Sequence, residues 1–343
     1  MSTFDYPCLR SLLVDEESRV CFDARKALAE VPSLALFYKI IRRSCGKYRF
    51  RDLEGFLCDK GVSSWIGWGS GDTALYHELV LTDSKYDYLG TCIGSSSTSG
   101  DRPTCILEVS KALDLAKSPG CGVLVNEEAF ERDKKLLSVV PAEKLLIVKD
   151  HLVGRCGWQY FDYFQPDGTE YFVDAGCLDG GTSAAFASWC KGNYGHIYAF
   201  EPNPLSTEAY RKGMSVFGER ATLYEYALLD RIGFTSFDAI GRSKWDARVD
   251  ELGSTIVPCS TLDAVLGGRP VTYVKLDIEG CELRALIGGR GLLAEKRPRL
   301  AVSVYHEAED LFAAMNLLRD MAAYSFAIRH YHSDAIETVL YAF

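Results

Sequence analysis

Residues 171–183 read YFVDAGCLDGGTS, and the fold turns on them. An apolar, aromatic run leads into Asp174, then Gly176 and the pair Gly180-Gly181, after which Ala184, Ala185 and Ala187 favour a helix. The pattern is that of a buried strand, a glycine turn and a helix start. Glycine takes positive φ and lets a ligand approach the main chain, and the first free N–H groups of the next helix form an anion site. Glu201 closes a second apolar run, His196-Ile197-Tyr198-Ala199-Phe200. In nucleotide-binding α/β folds a carboxylate at that place accepts hydrogen bonds from ribose hydroxyls. The turn and the acid together point to cofactor binding, whereas glycine alone would serve packing equally well.

The chain of 343 residues is long for one domain, and length suggests about two. We place helices over 1–50, a small Rossmann-like α/β domain over 51–150 and a second domain over 151–343. A hydrophobic content of 48% supplies full cores, and no run approaches the ~20 apolar residues that span a bilayer. The start, MSTFDYPCLRSLLVDEESRV, carries acids where a secretory signal has basic residues, so a cytoplasmic protein is expected. Twelve cysteines run from Cys8 to Cys281 without a C-x-x-C pair, and Cys92, Cys177 and Cys190 sit in apolar runs. They read as free thiols. A net charge of −9 disfavours a nucleic-acid partner, since phosphate binding needs clustered Lys and Arg. The basic group Arg42, Arg43, Lys47, Arg49 and Arg51 reads as a solvated helix end.

Helical spacing over 18–43 is divided at Pro32-Ser33, and a third helical patch, 50–60, ends at Gly61. Strands at 63–66, 86–93, 122–125 and 145–148 alternate with helices at 106–116 and 127–137, which indicates a small parallel sheet. Its glycine turn, 67–72, has Asp72 in place of a third glycine, and no ribose-binding acid follows Ile93-Gly94-Ser95. This region is structural or dimerising, or it holds a nucleotide or nucleotide-sugar. The aromatic stretch with Trp158, Tyr160, Phe161, Tyr163 and Phe164 covers the second domain or joins the two. Beyond it, Asn203-Pro204 suits a helix start. A strand at 221–228 precedes a polar excursion over 230–254, and Ser260 with Asp263 has capping-box spacing. Further strands are expected at 300–305, 325–331 and 337–343, the last two forming an antiparallel edge on an α/β sheet with helices on both faces.

Open α/β sheets bind ligands beyond the carboxyl ends of their strands, and Asp174, Glu201, Asp277 and His306 are each expected at such an end. Lys275, Asp277, Glu279 and Glu282 lie within eight residues. Alternation sends Lys275 and Asp277 to one side of the strand, so a mutual ion pair is expected there. Glu282, Glu309 and Asp310 suit helix starts through the dipole. His306, His330 and His332 have no metal-binding spacing, and no metal is expected.

VDAGCLDGGTS, AFEPNP, STLDAVL, VKLDIEGCE, SVYHEAEDL and IRHYHSDAIETVLYAF, in this order, resemble the FkbM-type family of S-adenosylmethionine-dependent methyltransferases over roughly 158–343. The resemblance implies a Rossmann-like methyltransferase sheet. It implies that Asp174, Gly176 and Gly180 shape the cofactor pocket, with Cys177, Asp179, Thr182 and Pro202 around it and Glu201 on the ribose hydroxyls. It further implies that Asp277 and Glu279 face the transfer site, and that the acceptor is a hydroxyl of a sugar, glycan or natural product. Many members carry Asn-Ile-Gly where this chain has Leu178-Asp179-Gly180, so Asp179 is expected to alter cofactor contacts. For the base, His306 is preferred over Asp277 because its ordinary pKa of ~6.5 leaves it mostly neutral. The competing readings are a dinucleotide-dependent oxidoreductase and a non-catalytic binding protein. No nucleic acid or membrane span is expected, and a homo-oligomer would form through the N-terminal domain.

Overall fold

The computed structural model describes residues 4–33, 36–37, 40–41, 61–69, 78, 81–82, 85–94, 105–148, 158–239, 247–331 and 335–343. The expected helix at 50–60, the basic residues 42–51 and the turn beyond Gly69 lie outside them. The chain forms two compact units, one of 20–156 with 330–337, the other of 1–19, 157–329 and 338–343. Two helices open it, α1 (Tyr6–Ser11) and α2 (Glu16–Glu30).

In the first unit β1 (Ser64–Trp68), β2 (Asp87–Cys92), α3 (Val109–Lys117), β3 (Cys121–Asn126), α4 (Glu127–Leu137) and β4 (Leu145–Val148) follow one another. The strands are parallel in the order β2-β1-β3-β4. β1 runs two residues past its expected end. Gly67 therefore lies within the strand rather than in a turn, where a Cβ would meet Thr91 Oγ1 at 2.6 Å. At the strand tips Asp133 accepts hydrogen bonds from Trp68 Nε1 at 3.0 Å and Arg132 Nη2 at 2.8 Å.

The second unit contains β5 (Glu170–Ala175), α5 (Gly181–Trp189), β6 (Tyr194–Phe200), α6 (Pro204–Met214), β7 (Ala221–Tyr224), β8 (Ala227–Leu228), β9 (Gly233–Asp238), β10 (Arg248–Val249), β11 (Thr255–Ser260) and α7 (Leu262–Leu266). It continues with β12 (Tyr273–Leu276), α8 (Glu282–Gly288), α9 (Arg290–Lys296), β13 (Arg299–Ser303), α10 (Asp310–Met321), β14 (Phe326–His330) and β15 (Thr338–Ala342). A seven-stranded sheet has the order β14-β15-β13-β12-β5-β6-β7. β13, β12, β5, β6 and β7 are mutually parallel and β15 runs antiparallel to β13. This is the expected α/β sheet with an antiparallel strand pair at its edge. Phe172 and Phe186 stack at 4.3 Å between β5 and α5, and Phe161 and Tyr273 extend that aromatic core.

Two local expectations are corrected. The strand expected at 221–228 is two strands, and the polar excursion contributes a second sheet, β10-β9-β11-β8. The helix after Ser260 is capped by Thr261, whose Oγ1 accepts from Ala264 N at 3.1 Å. Asp263 instead accepts from Gly291 and Leu292 N–H, at 2.9 and 2.7 Å, at the start of α9. Asn203 caps α6 as expected, accepting from Leu205 N at 3.0 Å. Among the described residues no helix is long and apolar enough to cross a membrane.

Candidate active site

β5 ends at Ala175, and the chain turns through Gly176 (φ 75°), Leu178 (φ 47°) and Gly180 (φ 86°) into α5. At Gly176 a Cβ would lie 1.9 Å from the carbonyl oxygen of Asp277. Only glycine lets the turn lie against the tip of β12 in this way. Asp179, exposed, folds its Oδ1 onto Gly181 N at 3.0 Å, so it occupies one of the free N–H groups at the helix start. Thr182 follows in the first turn, half-buried.

Asp174 is fully buried and accepts from Ser183 Oγ at 2.7 Å and from Lys275 Nζ at 3.2 Å. Lys275 also donates to the carbonyls of Ala175 at 2.9 Å and Gly176 at 2.7 Å. The expected Lys275–Asp277 pair is therefore replaced by Lys275–Asp174, because adjacent parallel strands put those two residues in register. Burial alone would lower the Lys275 pKa, yet Asp174 and Asp277 hold it above its ordinary value. Asp174 is thus a buried foundation beneath the turn. Cys177 is buried too, and burial pushes its thiol pKa up.

Glu201, at the tip of β6, bridges the turn to the next loop. Its Oε2 accepts from Leu178 N at 3.0 Å and its Oε1 from Asn203 N at 2.8 Å, with Pro202 between the two loops. Burial raises its pKa against the pull of those N–H groups. A carboxylate offers about four lone-pair sites, so two remain for further donors. Glu201 can therefore accept further donors beside the glycine turn and the tip of β12.

Beyond β12, Asp277 accepts from Tyr160 OH at 2.8 Å through Oδ2 and from Tyr305 OH at 3.2 Å through Oδ1. Burial raises its pKa, but Lys275 and His306 outweigh this and hold it below the usual range. His306 follows β13 and lies among three carboxylates. Its Nε2 is 3.4 Å from Glu279 Oε2 and 3.7 Å from Asp277 Oδ1, and its Nδ1 is 3.3 Å from Glu282 Oε1. Burial by itself would lower the imidazole pKa, but Glu279 and Glu282 push it up to about 11. The expectation of a mostly neutral His306 took no account of these carboxylates, which favour the protonated ring. Glu279, in the left-handed region at φ 55° and 30% exposed, is the most accessible of the three acids.

Asp277, Glu279 and His306 thus share one cluster, while Asp174 and Glu201 flank the neighbouring glycine turn around Lys275. Sequence reasoning passed over two residues here. Glu282, assigned to a helix dipole, is buried against His306, and Tyr160, placed in a general aromatic cover, donates directly to Asp277. Tyr160 stands at φ 72°, a conformation no spacing pattern signals. Its placement is fixed by Tyr341 OH, which accepts from its N–H at 3.1 Å, and by Tyr273 OH, which donates to its carbonyl.

Residues 165–326 match the family model "Methyltransferase FkbM domain", just under half of the chain. No curated protein matches this chain. Among solved structures, the methyltransferase FkbM from Methylobacillus flagellatus KT is 15% identical, with 99% of this chain and 100% of that chain covered at a TM-score of 0.49. An rRNA methylase from Streptococcus thermophilus is 13% identical over 51% of this chain and 87% of its own, at a TM-score of 0.31. A Streptococcus mutans protein in complex with SAH is 10% identical over 51% and 89%, also at 0.31. The resemblance to FkbM-type methyltransferases holds over residues 165–326.

Proposed function

We propose that the methyltransferase FkbM domain at residues 165–326 uses S-adenosylmethionine to methylate a hydroxyl group of a sugar, glycan or natural product. The observation that carries this reading is the pairing of a glycine turn backed by Glu201 with a carboxylate-rich strand tip, the two touching at Gly176 and Asp277. Gly176 and Gly180 would cradle the cofactor, and Glu201 would accept from its ribose hydroxyls through its remaining lone pairs. Asp179, bonded to Gly181 N, keeps a negative charge at the mouth of the turn. When bound, S-adenosylmethionine supplies an electrophilic methyl group on a sulfonium centre. The acids of the β12 tip favour that positive charge and hold the acceptor oxygen beside it. Alignment of this kind removes roughly 7–11 kcal/mol of a barrier.

An alcohol must also lose its proton, and base catalysis typically contributes about 10²–10⁴-fold. Glu279 is the residue we assign to that task, since it is the most exposed carboxylate of the cluster. His306, between Glu279 and Asp277, orients these two carboxylates. The need for a carboxylate base is what favours a hydroxyl acceptor.

Calorimetry with SAH, the demethylated product, tests the reading. The wild-type chain binds SAH and not NAD, and Glu201→Ala weakens SAH binding at least about tenfold, the equivalent of 1.4 kcal/mol, while circular dichroism shows it folded. Unchanged affinity in a folded Glu201→Ala variant would remove the ribose assignment, and NAD binding without SAH binding would remove the methyltransferase reading.

A further inference from the structure

We propose that Asp277, Glu282 and His306 bind a divalent cation of the Mn²⁺, Fe²⁺ or Zn²⁺ type at the tip of β12. One donor atom of each lies within 4.8 Å of the other two. Donors around one ion at ~2.1 Å sit roughly 3–4.2 Å apart, so less than about an ångström of side-chain adjustment brings the set together.

Three observations beyond proximity point to a cation. Glu282 is 2% exposed, and among the described residues its Oε2 has no hydrogen-bond partner. Its other oxygen is fixed by Ile278 N–H at 2.7 Å, so a carboxylate oxygen is held in the interior with nothing among the described residues donating to it. Among the described residues both His306 nitrogens face carboxylates at 3.3–3.7 Å, and neither has a hydrogen-bond partner at closer range. Such contacts exceed good hydrogen-bond lengths. The third is charge: Asp277, Glu279 and buried Glu282 surround one imidazole, and the nearby Lys275 is shared with Asp174, so negative charge exceeds its partners, which is costly where it is buried. A divalent ion bound among these groups offsets that excess.

The donor chemistry selects the ion. Carboxylates alone suit Mg²⁺ or Ca²⁺, and an imidazole shifts the preference toward first-row transition ions and Zn²⁺. Outer bonds that fix ligand orientation are also in place: Tyr160 and Tyr305 donate to Asp277, and Ile278 N–H donates to Glu282. The ion-binding claim stands on these residues alone. Its chemical role rests on the methyl-transfer reading: an acceptor hydroxyl bound to the ion becomes more acidic, and Glu279, outside the ligand set, is free to take its proton.

The test uses the full chain, stripped with a chelator and titrated with Mn²⁺. Uptake is read from loss of the free-ion electron paramagnetic resonance signal, and ligation from ¹⁴N coupling in pulsed spectra. The expected result is one Mn²⁺ per chain at micromolar concentration with a directly bonded ¹⁴N. His306→Gln abolishes the coupling and Glu282→Gln weakens uptake by at least about tenfold. Should Glu282→Gln fail to fold, the wild-type ¹⁴N coupling still decides. No uptake below millimolar Mn²⁺, uptake without ¹⁴N coupling, or coupling that survives His306→Gln overturns the proposal. SAH calorimetry on the same stripped protein separates the two readings. SAH binding without Mn²⁺ uptake removes the ion and leaves methyl transfer, and Mn²⁺ uptake without SAH binding does the reverse.

Discussion

One ammonium group, that of Lys275, fastens the turn to the strand beneath it. Its three acceptors, Asp174 Oδ1 and the carbonyls of Ala175 and Gly176, all belong to the end of β5 and the turn that follows. Removing one partner of a buried ion pair strands the other, at a cost of about 3–5 kcal/mol. Lys275→Met is expected to lower unfolding stability by that amount, and adding Asp174→Asn should restore part of it by removing the stranded charge. Urea unfolding of the single and double variants checks this. A single variant as stable as wild type, or a double variant no better than the single, would count against it. Both residues were visible in the sequence, yet alternation within one strand pointed Lys275 to Asp277. The partner was decided by the Lys275–Asp174 register between β12 and β5, which no local spacing contains. Glu282 was misread for the same reason: its position at a helix start is local, its contact with His306 is not.

At the scale of elements, the strands that line the site were legible because parallel strands covered on both faces read as continuous apolar runs. β9 and β11 were not. Phe234 and Ile256 point outward at 71% and 64% exposure while Phe237 and Val257 are buried, and such short two-sided strands between polar residues resemble a loop. The attachment of the N-terminal segment to β14 was equally hidden. Arg329 reaches Asp15 Oδ2 at 2.7 Å, Ser18 Oγ at 3.0 Å and Glu17 Oε2 at 3.3 Å. Burial would raise the Asp15 pKa, but the bonds from Arg329 and Ser18 hold it at about 2, below its ordinary 3.8. A depressed carboxylate pKa stabilises the fold above the unfolded-state value, and the contribution fades as pH falls through the folded-state value. The group is partly solvated, so the effect is modest. Asp15→Asn is therefore expected to be less stable than wild type at pH 5, with the difference shrinking toward pH 2. A gap that stays constant across that range would show that Asp15 acts by packing rather than by charge.

For the whole molecule, α/β alternation read from sequence was enough to yield one parallel sheet and one mostly parallel sheet, because each needs its own apolar interior. Ile66, Trp68, Ala112, Val123, Val125 and Leu137 build one core, and Phe161, Phe172, Phe186 and Tyr273 lie in the other. Chains with more than one such unit commonly depart from two-state unfolding, and calorimetry is expected to resolve two transitions. A ligand that binds only the native form at 100 times its dissociation constant adds about 2.7 kcal/mol to the unit that holds it. SAH should therefore raise one transition and leave the other in place. Lys275→Met identifies which: it damages the seven-stranded unit, so the transition it lowers must be the one SAH raises. If SAH instead lifts the transition that Lys275→Met leaves untouched, the ligand belongs to the four-stranded parallel sheet, and the assignment of Glu201 and Asp277 to its pocket falls with it.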